Sequence, residues 1–324
     1  MHEDKKGNFM EFNGERYVSD LNSAQISYEH WHRYLYATQF VKGKNVLDIA
    51  CGEGYGSDLL AQTAKTVTGI DISPETIDFA KAKYKKENLS FIEGSVGKIP
   101  VNGEKVFDVV VSFETIEHVD ALMQESFLKE VKRLLKDDGI FIVSSPDKLF
   151  YSDIPNYKNE FHIKEFYEKE FFEFLHKYFK CVSLLGQKVI SGSNMWRLNS
   201  NEQVGSFVEY KIANKEKKFV IDEQAKEAKY MVAVCSDKAI KTTDHSVLVD
   251  TSLSLLLEKN NEISEMQNRH IFELQAEQAR NEELVKQLHA VQITVSYRVS
   301  QKLRSFNWLM VLYRHLKSSF SRFF

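Results

Sequence analysis

The stretch VLDIACGEGYGSDLLA, residues 46–61, decides how the rest of the chain is read. An apolar run ends in an acid, Asp48. A tight turn with Gly52, Gly54 and Gly56 follows, and a pattern of helical period resumes directly after it. Glycine allows positive φ and close approach of the backbone to a ligand. A helix starting just after the turn aims its unpaired N–H groups at the same point. The pattern therefore predicts a strand, a turn and a helix that together cradle a nucleotide. A dehydrogenase loop, Gly-x-Gly-x-x-Gly, needs a third glycine three residues after the second, and that position here is Ser57.

Working outward, β-rich runs alternate with helical patterns. Strands are expected at Asn45–Ile49, Thr66–Ile70, Leu89–Glu93, Phe107–Phe113 and Gly139–Ser144, and helices at Tyr55–Thr63, Pro74–Lys86 and Met123–Leu135. This alternation indicates βαβ units on a parallel sheet, and the continuous apolar run VVVSF suits a strand buried on both faces. The second strand leads into Asp71, 19 residues after Gly52, where an acid can accept from both ribose hydroxyls of an adenosine. Ile72 would flank the adenine ring, Ser95 and Val96 would meet its edge, and Phe113 would border the adenosine. Residues 160–179 read as one amphipathic helix, Cys181–Val189 and Lys229–Ser236 as two further strands, and 190–228 as an irregular polar insertion.

Composition bounds the remaining classes. The 324 residues carry 43 Lys and Arg against 46 Asp and Glu, a net charge of −3, which excludes a uniformly basic nucleic-acid coat. Three cysteines, Cys51, Cys181 and Cys235, are too few and too scattered for a disulfide framework or a zinc pattern, so a reducing compartment is expected. The first residues lack the apolar run of about 7–15 residues that marks a secretory signal. No uninterrupted apolar stretch reaches the roughly 18 residues a spanning helix needs. The expected location is cytoplasmic, peripheral on the inner face of the membrane. The net charge is also an average: residues 285–324 hold seven bases and no acid, which leaves −10 on residues 1–284.

The glycine loop, Asp71, the strand FDVVVSFETIEHV and the segment LKEVKRLLKDDGIFIVSSP together resemble the class I S-adenosylmethionine-dependent methyltransferases. The resemblance covers roughly Gly43–Ser145, and more loosely residues 14–240. It implies a Rossmann-like, seven-stranded, mostly parallel α/β sheet over residues 41–240. It also implies S-adenosylmethionine as cofactor, with Asp48, Gly52, Gly54, Asp71, Ile72, Ser95, Val96 and Phe113 around it. Such an enzyme holds an acceptor in line with the S–CH₃ bond, and a hydroxyl acceptor also needs its proton removed.

Glu114, Glu117 and His118 fall at the carboxyl end of the fourth strand, where ligands bind in doubly wound sheets. His162 follows in the sequence Asn-Glu-Phe-His. This set resembles the ExxEH…H metal sites of small-RNA 2′-O-methyltransferases and some quinone-ring O-methyltransferases, which implies Glu114, Glu117, His118 and His162 as ligands of a divalent ion (Mg²⁺, Mn²⁺ or Zn²⁺) that lowers the acceptor's pKa. Two alternatives stand beside it. His118, with Glu114, can act without metal as the catalytic acid–base pair, or the cluster can be structural.

Upstream, residues 1–40 read as an N-terminal cap with a helix from about Ala24 to Phe40. Tyr34, Tyr36 and Phe40 would be core, and Glu29 and Arg33, four apart, would pair on the helix surface. The alternative places Arg33 at the methionine carboxylate of the cofactor and Tyr17 beside the transferred methyl. The segment from Glu15-Arg16-Tyr17 through His30-Trp31-His32-Arg33-Tyr34 to the glycine loop is similar to methyltransferases of bacterial surface-polysaccharide assembly, which implies O-methylation of a sugar or glycan. RNA 2′-hydroxyls or a quinone-like phenol are alternative acceptors, and a non-catalytic cofactor-binding scaffold is the alternative outside enzymology. The acidic body makes nucleic acid an unlikely partner.

Residues 241–295 read as a linker and a helical segment. Leu256, Ile263, Leu274, Leu284, Leu288, Val291 and Val295 lie on one heptad seam, but Asn260, Gln267, His270, Glu277 and Asn281 share it. The segment is thus either a solvated single helix or a weak coiled coil joining copies of the chain. Residues 296–324 form a basic amphipathic tail with Phe306, Leu309, Met310, Tyr313, Leu316 and Phe320 at helical steps. SYRVSQKLR within it resembles a motif near the ends of polysaccharide-processing glycosyltransferases and methyltransferases. A basic tail of this kind suits a membrane surface, a glycosyltransferase complex or another protein, or nucleic acid.

Overall fold

The computed structural model describes residues 23–190, 211–213, 218–220, 227–240 and 245–320. The chain divides into two units, Met1–Leu255 and Leu256–Phe324. The first begins with helix α1 (Ala24–Val41), capped by the Ser23 hydroxyl. It continues through β1 (Asn45–Ile49), α2 (Tyr55–Leu60), β2 (Thr66–Asp71), α3 (Pro74–Lys83), β3 (Leu89–Glu93) and β4 (Phe107–Ser112). A single 3₁₀ turn, Ile116–His118, precedes α4 (Ala121–Leu134) and β5 (Leu135–Pro146). A short π-helical turn, Leu149–Asp153, leads to α5 (Glu168–His176), β6 (Cys181–Gln187), the short strands β7 (Lys211–Ala213) and β8 (Lys218–Val220), and β9 (Tyr230–Ser236).

Local chemistry starts α3 at Pro74, as expected, and α4 at Ala121, two residues before the expected Met123. Ser73 caps α3 with Pro74 following it, and Asp120 caps α4 by accepting from the Met123 N–H at 2.8 Å. The sheet has seven strands in the order β3-β2-β1-β4-β5-β9-β6. The five strands from β3 to β5 run parallel, and β9 is antiparallel to both β5 and β6. β1 lies between β2 and β4, so the chain winds outward in opposite directions from it. That reversal opens a crevice at the carboxyl ends of β1 and β4.

Both sheet faces are covered, and alternate residues of one strand serve different cores. Val109 and Val111 pack with Tyr34, Ala37, Val41 and Leu60 from α1 and α2, whereas Val110 packs with Phe127, Leu128 and Val131 of α4 and Phe171 of α5. The buried run VVVSF therefore behaves as its composition predicts.

Two expectations need correction. Residues 160–179 are not one helix. The N–H groups of Ile163 and Lys164 both donate to the Glu117 carbonyl, and Phe166 forms a bridge with Asp147. With those groups spent across the fold, helix starts only at Glu168, where the Glu170 carboxylate accepts from the Tyr167 N–H. Within 190–228, read as irregular, β7 and β8 pair antiparallel; residues 191–210 lie outside the described residues.

The second unit carries α6 (Ser254–Phe320), a helix of 67 residues. At 1.5 Å per residue it is about 100 Å long. It runs unbroken across 295–296, so the tail and the segment before it are one element.

Core and helix should respond very differently to truncation. Phe127 is fully buried, so Phe127→Ala should cost about 3–5 kcal/mol. Phe272 on α6 is 72% exposed, so Phe272→Ala should stay within about 0.5 kcal/mol. Denaturant unfolding of the full chain measures both.

Candidate cofactor and acceptor site

The loop between β1 and α2 is built on left-handed backbone. Gly52 has φ +54° and Gly54 φ +85°. A Cβ on Gly54 would lie 2.6 Å from the Phe91 ring, whereas a Cβ on Gly52 would meet nothing within 4 Å. Gly54 is thus a packing requirement, and Gly52 leaves open space where a ligand can approach the backbone.

Asp71, at the end of β2, reaches back to this loop. One carboxylate oxygen accepts from the Gly52 N–H at 3.0 Å and the other from the Ser73 N–H at 3.0 Å. A carboxylate has about four acceptor positions, so two remain for a pair of ribose hydroxyls. Beside it Ile72 is 70% exposed, an apolar surface in the place expected to flank an adenine. The Gly94 N–H donates to the Asp71 carbonyl and brings the turn holding Ser95 and Val96 to the same end of the sheet. Val96 is half-buried against the larger core cluster. These residues fit an adenosine.

Asp48 sits beneath the loop. It is fully buried, accepting from the Ser57 hydroxyl at 2.6 Å and from the Tyr34 hydroxyl at 3.2 and 3.3 Å. Burial pushes its carboxyl up to about 7, against the pull of these two hydrogen bonds. Its place in the structure is that of a positioning residue, holding α2 and α1 to the end of β1. Phe113 is also buried and meets the Tyr34 ring edge-on, 4.9 Å between centroids, as part of the wall.

The residue after Phe113 is strained. Glu114 has φ +50°, a conformation uncommon for a residue with a side chain. Ser144 of β5 holds it, accepting from the Glu114 N–H at 3.0 Å and donating to its carboxylate at 2.6 Å. The Arg33 guanidinium lies 3.4 Å from the same carboxylate. Arg33 and Glu29 do not pair on the surface of α1: both are buried. Arg33 donates from Nε to Gln187 at 2.7 Å and stacks on Tyr230 at 4.5 Å, while Glu29 meets Lys229 at 3.5 Å. Ser144, Gln187, Lys229 and Tyr230 were not anticipated, and no local motif marks them.

His118 follows on the 3₁₀ turn. Its Nδ1 lies 3.1 Å from the Phe161 carbonyl, so in the neutral ring Nδ1 donates and Nε2 carries the lone pair. Nε2 is 3.9 Å from the buried Glu117 carboxylate. His162 meets the His118 ring edge-on at 4.9 Å and stacks on Tyr151 at 5.2 Å. Among the described residues, Glu117, His118 and His162 each bring one ligand atom within 4.8 Å of the others.

Glu114 lies outside this group, committed to Ser144 and Arg33, which corrects its assignment as a fourth metal ligand. His162 is also committed: Nδ1 is 2.5 Å from Glu165, and Nε2 is 2.9 Å from the Asn159 amide nitrogen. An amide N–H can only donate, so the Nε2 lone pair is used. The four-residue ligand set does not assemble.

Residues 47–143 match the family model described as "Methyltransferase domain". The chain carries a methyltransferase domain. S-adenosylmethionine, the cofactor in the name of the first relative below, fits the open backbone at Gly52 and the two remaining acceptor positions of Asp71. A relative from Mycolicibacterium smegmatis, named "Probable S-adenosylmethionine-dependent methyltransferase", is 34% identical over 174 residues, covering 52% of this chain and 64% of its own. One from Pelagibacter ubique, named "Ubiquinone biosynthesis O-methyltransferase", is 33% identical over 112 residues, covering 35% of this chain and 46% of its own. The chain thus spans less than two thirds of the length of these relatives. The crystal structure of the PH0226 protein from Pyrococcus horikoshii aligns with 21% identity over 68% of this chain and 94% of that one, with a TM-score of 0.47.

Two outcomes test this domain. Asp71→Ala should weaken S-adenosylmethionine binding at least about tenfold, since it removes hydrogen bonds to a charged acceptor; calorimetric titration of the folded variant measures it. Asp48 has its carboxyl raised from 3.8 to about 7 in the fold, so it releases its proton more readily when unfolded. Its contribution favours folding at low pH and is lost as pH rises from about 4 to about 7. Relative to Asp48→Asn, the wild type should lose stability across that window and stay level above it, as read from paired denaturant midpoints.

Proposed function

We propose that the chain transfers the methyl group of S-adenosylmethionine to a hydroxyl of a sugar or glycan, with His118 receiving the acceptor's proton. The observation that carries this reading is the placement of His118. It follows the carboxyl end of β4, next to the switch point of the sheet, on a turn that places its ring between the Phe161 carbonyl and the buried Glu117 carboxylate.

The cofactor supplies a sulfonium-activated methyl group. Gly52 and Asp71 hold its adenosine end, and the walls formed by Tyr34 and Phe113 keep water from the floor of the crevice. When the His118 ring accepts a proton, the buried Glu117 carboxylate 3.9 Å away faces the new charge. The acceptor side pairs the carboxylate of Glu114, whose Oε1 meets both Ser144 and Arg33, with the half-buried ring of Tyr151, a hydrogen-bonding group and an aromatic ring suited to a sugar. The similarity of the segment from Glu15 to the glycine loop to polysaccharide-assembly methyltransferases supports a glycan and bacterial surface-polysaccharide assembly as its setting.

A second reading keeps the mechanism and changes the acceptor to a quinone-ring phenol. It is favoured by the 33% identity to the Pelagibacter ubique relative and by the 35% identity over 109 residues to one of the same name from Actinobacillus pleuropneumoniae.

Transfer of labelled methyl from the cofactor into a fractionated bacterial lysate separates these readings. Label in lipid-linked or polymeric glycan supports the first, label in prenylated quinone supports the second, and no label in any fraction removes the activity. With an acceptor in hand, His118→Ala should lower kcat by about 10²-fold or more while cofactor affinity is unchanged. Turnover should persist in excess chelator; its loss there would restore the metal.

A further inference from the structure

The second unit holds a helix whose two halves are chemically unlike. From Ser254 to Leu284 it has seven acids and three bases. From Val285 to Phe320 it has six bases and no acid. The apolar side chains divide the same way. The acidic half has one aromatic residue, Phe272, and polar Asn260, Gln267 and Asn281 interrupt its seam. In the basic half, Val299, Leu303, Phe306, Met310 and Tyr313 follow one another at steps of four and three, which places them on one helix face. All five are exposed, as is Trp308 at 65%.

A large exposed apolar stripe calls for a cover, and the charge pattern selects among the candidates. A parallel second copy would lay six bases against six, with no acid to offset them. An antiparallel copy would offset the charge but would set the aromatic stripe against the polar seam. A bilayer span is excluded among the described residues, none of whose helices is long and apolar enough to cross a membrane. A surface of anionic lipid satisfies both demands. It takes the apolar stripe into the headgroup boundary and pairs the flanking bases Arg298, Lys302 and Arg314 with phosphate, while the long stem of Lys317, which follows Tyr313 on the stripe, lets its charge reach outward.

We propose that residues 297–320 lie flat on an anionic lipid surface. The acid-rich half of α6 is repelled by the same surface, which confines contact to the carboxyl-terminal half. This proposal does not depend on the methyl-transfer reading, because its test measures binding alone.

The test is flotation of the full chain with vesicles of phosphatidylcholine alone or of phosphatidylcholine mixed with phosphatidylglycerol. Two variants accompany the wild type: Arg304→Glu/Arg314→Glu/Lys317→Glu, and Phe306→Ser/Tyr313→Ser. Circular dichroism checks that both keep their helix content, and sedimentation records the oligomeric state. The expected result is binding to the mixed vesicles only, weakened by high salt. It should fall about a hundredfold or more in the charge-reversed variant and should also fall in the Phe306/Tyr313 variant.

Failure of the wild type to float with mixed vesicles overturns the proposal, as does equal flotation of the charge-reversed variant. So does a chain that ignores vesicles and instead self-associates through this half, or is retained on single-stranded RNA.

Discussion

The hydrogen bond from the Gly52 N–H to the Asp71 carboxylate joins the ends of two neighbouring strands, and the geometry of the crevice depends on it. β1 and β2 are paired in register from Asn45 and Thr66 to Ile49 and Ile70, so their ends arrive side by side. The carboxylate then clamps the loop after β1 to the end of β2. The same group supplies the spare acceptor positions that fit a ribose. Beneath the loop, Asp48 does a related task in a dry setting, gathering the Ser57 and Tyr34 hydroxyls. The two acids thus divide between a floor that cannot be reached and a rim that can. Asp48 is fully buried on two hydroxyls, whereas Asp71 keeps 7% exposure and accepts from two backbone N–H groups.

The opposite wall rests on contacts between distant parts of the chain. Ser144 of β5 holds Glu114 in a left-handed conformation, and Arg33 of α1 meets the carboxylate so positioned. Strain of this kind, of order 1–3 kcal/mol, persists only where the surroundings impose it. Here the surroundings are a serine from the neighbouring strand and an arginine stacked on Tyr230. The same wall continues through Glu117, whose carbonyl takes the Ile163 and Lys164 N–H groups and so delivers His162 to the side of His118.

Much of the fold was legible because its signals are local. The glycine turn and the acid 19 residues on lie close to the structure they specify, and α3 starts at Pro74 as its pattern predicts. The buried alternation of Val109, Val110 and Val111 is equally readable, since a strand covered on both faces leaves no place for polar residues. The helix expected over 160–179 failed for the complementary reason. Its periodicity is real between Glu168 and His176, but upstream the N–H groups that would have extended it are used by a carbonyl more than 40 residues away. Pattern within a window carries no information about such a competitor. Glu114 misled in the same way. Its spacing from His118 suggested a shared face, yet Ser144 and Arg33, neither of them near it in sequence, turn its carboxylate elsewhere.

By itself the sequence determined the class of sheet, the glycine loop and the acid whose geometry fits an adenosine, and the charge division of the long helix. Each of these follows from residue type and short spacing along the chain. Tertiary structure decided which carboxylates are dry, which histidine nitrogen keeps its lone pair, and which of the clustered acids and histidines have other partners. Those properties belong to the environment of a group rather than to its identity. An environment assembled from α1, β4, β5, β6 and β9 exists only once the sheet has brought their ends together.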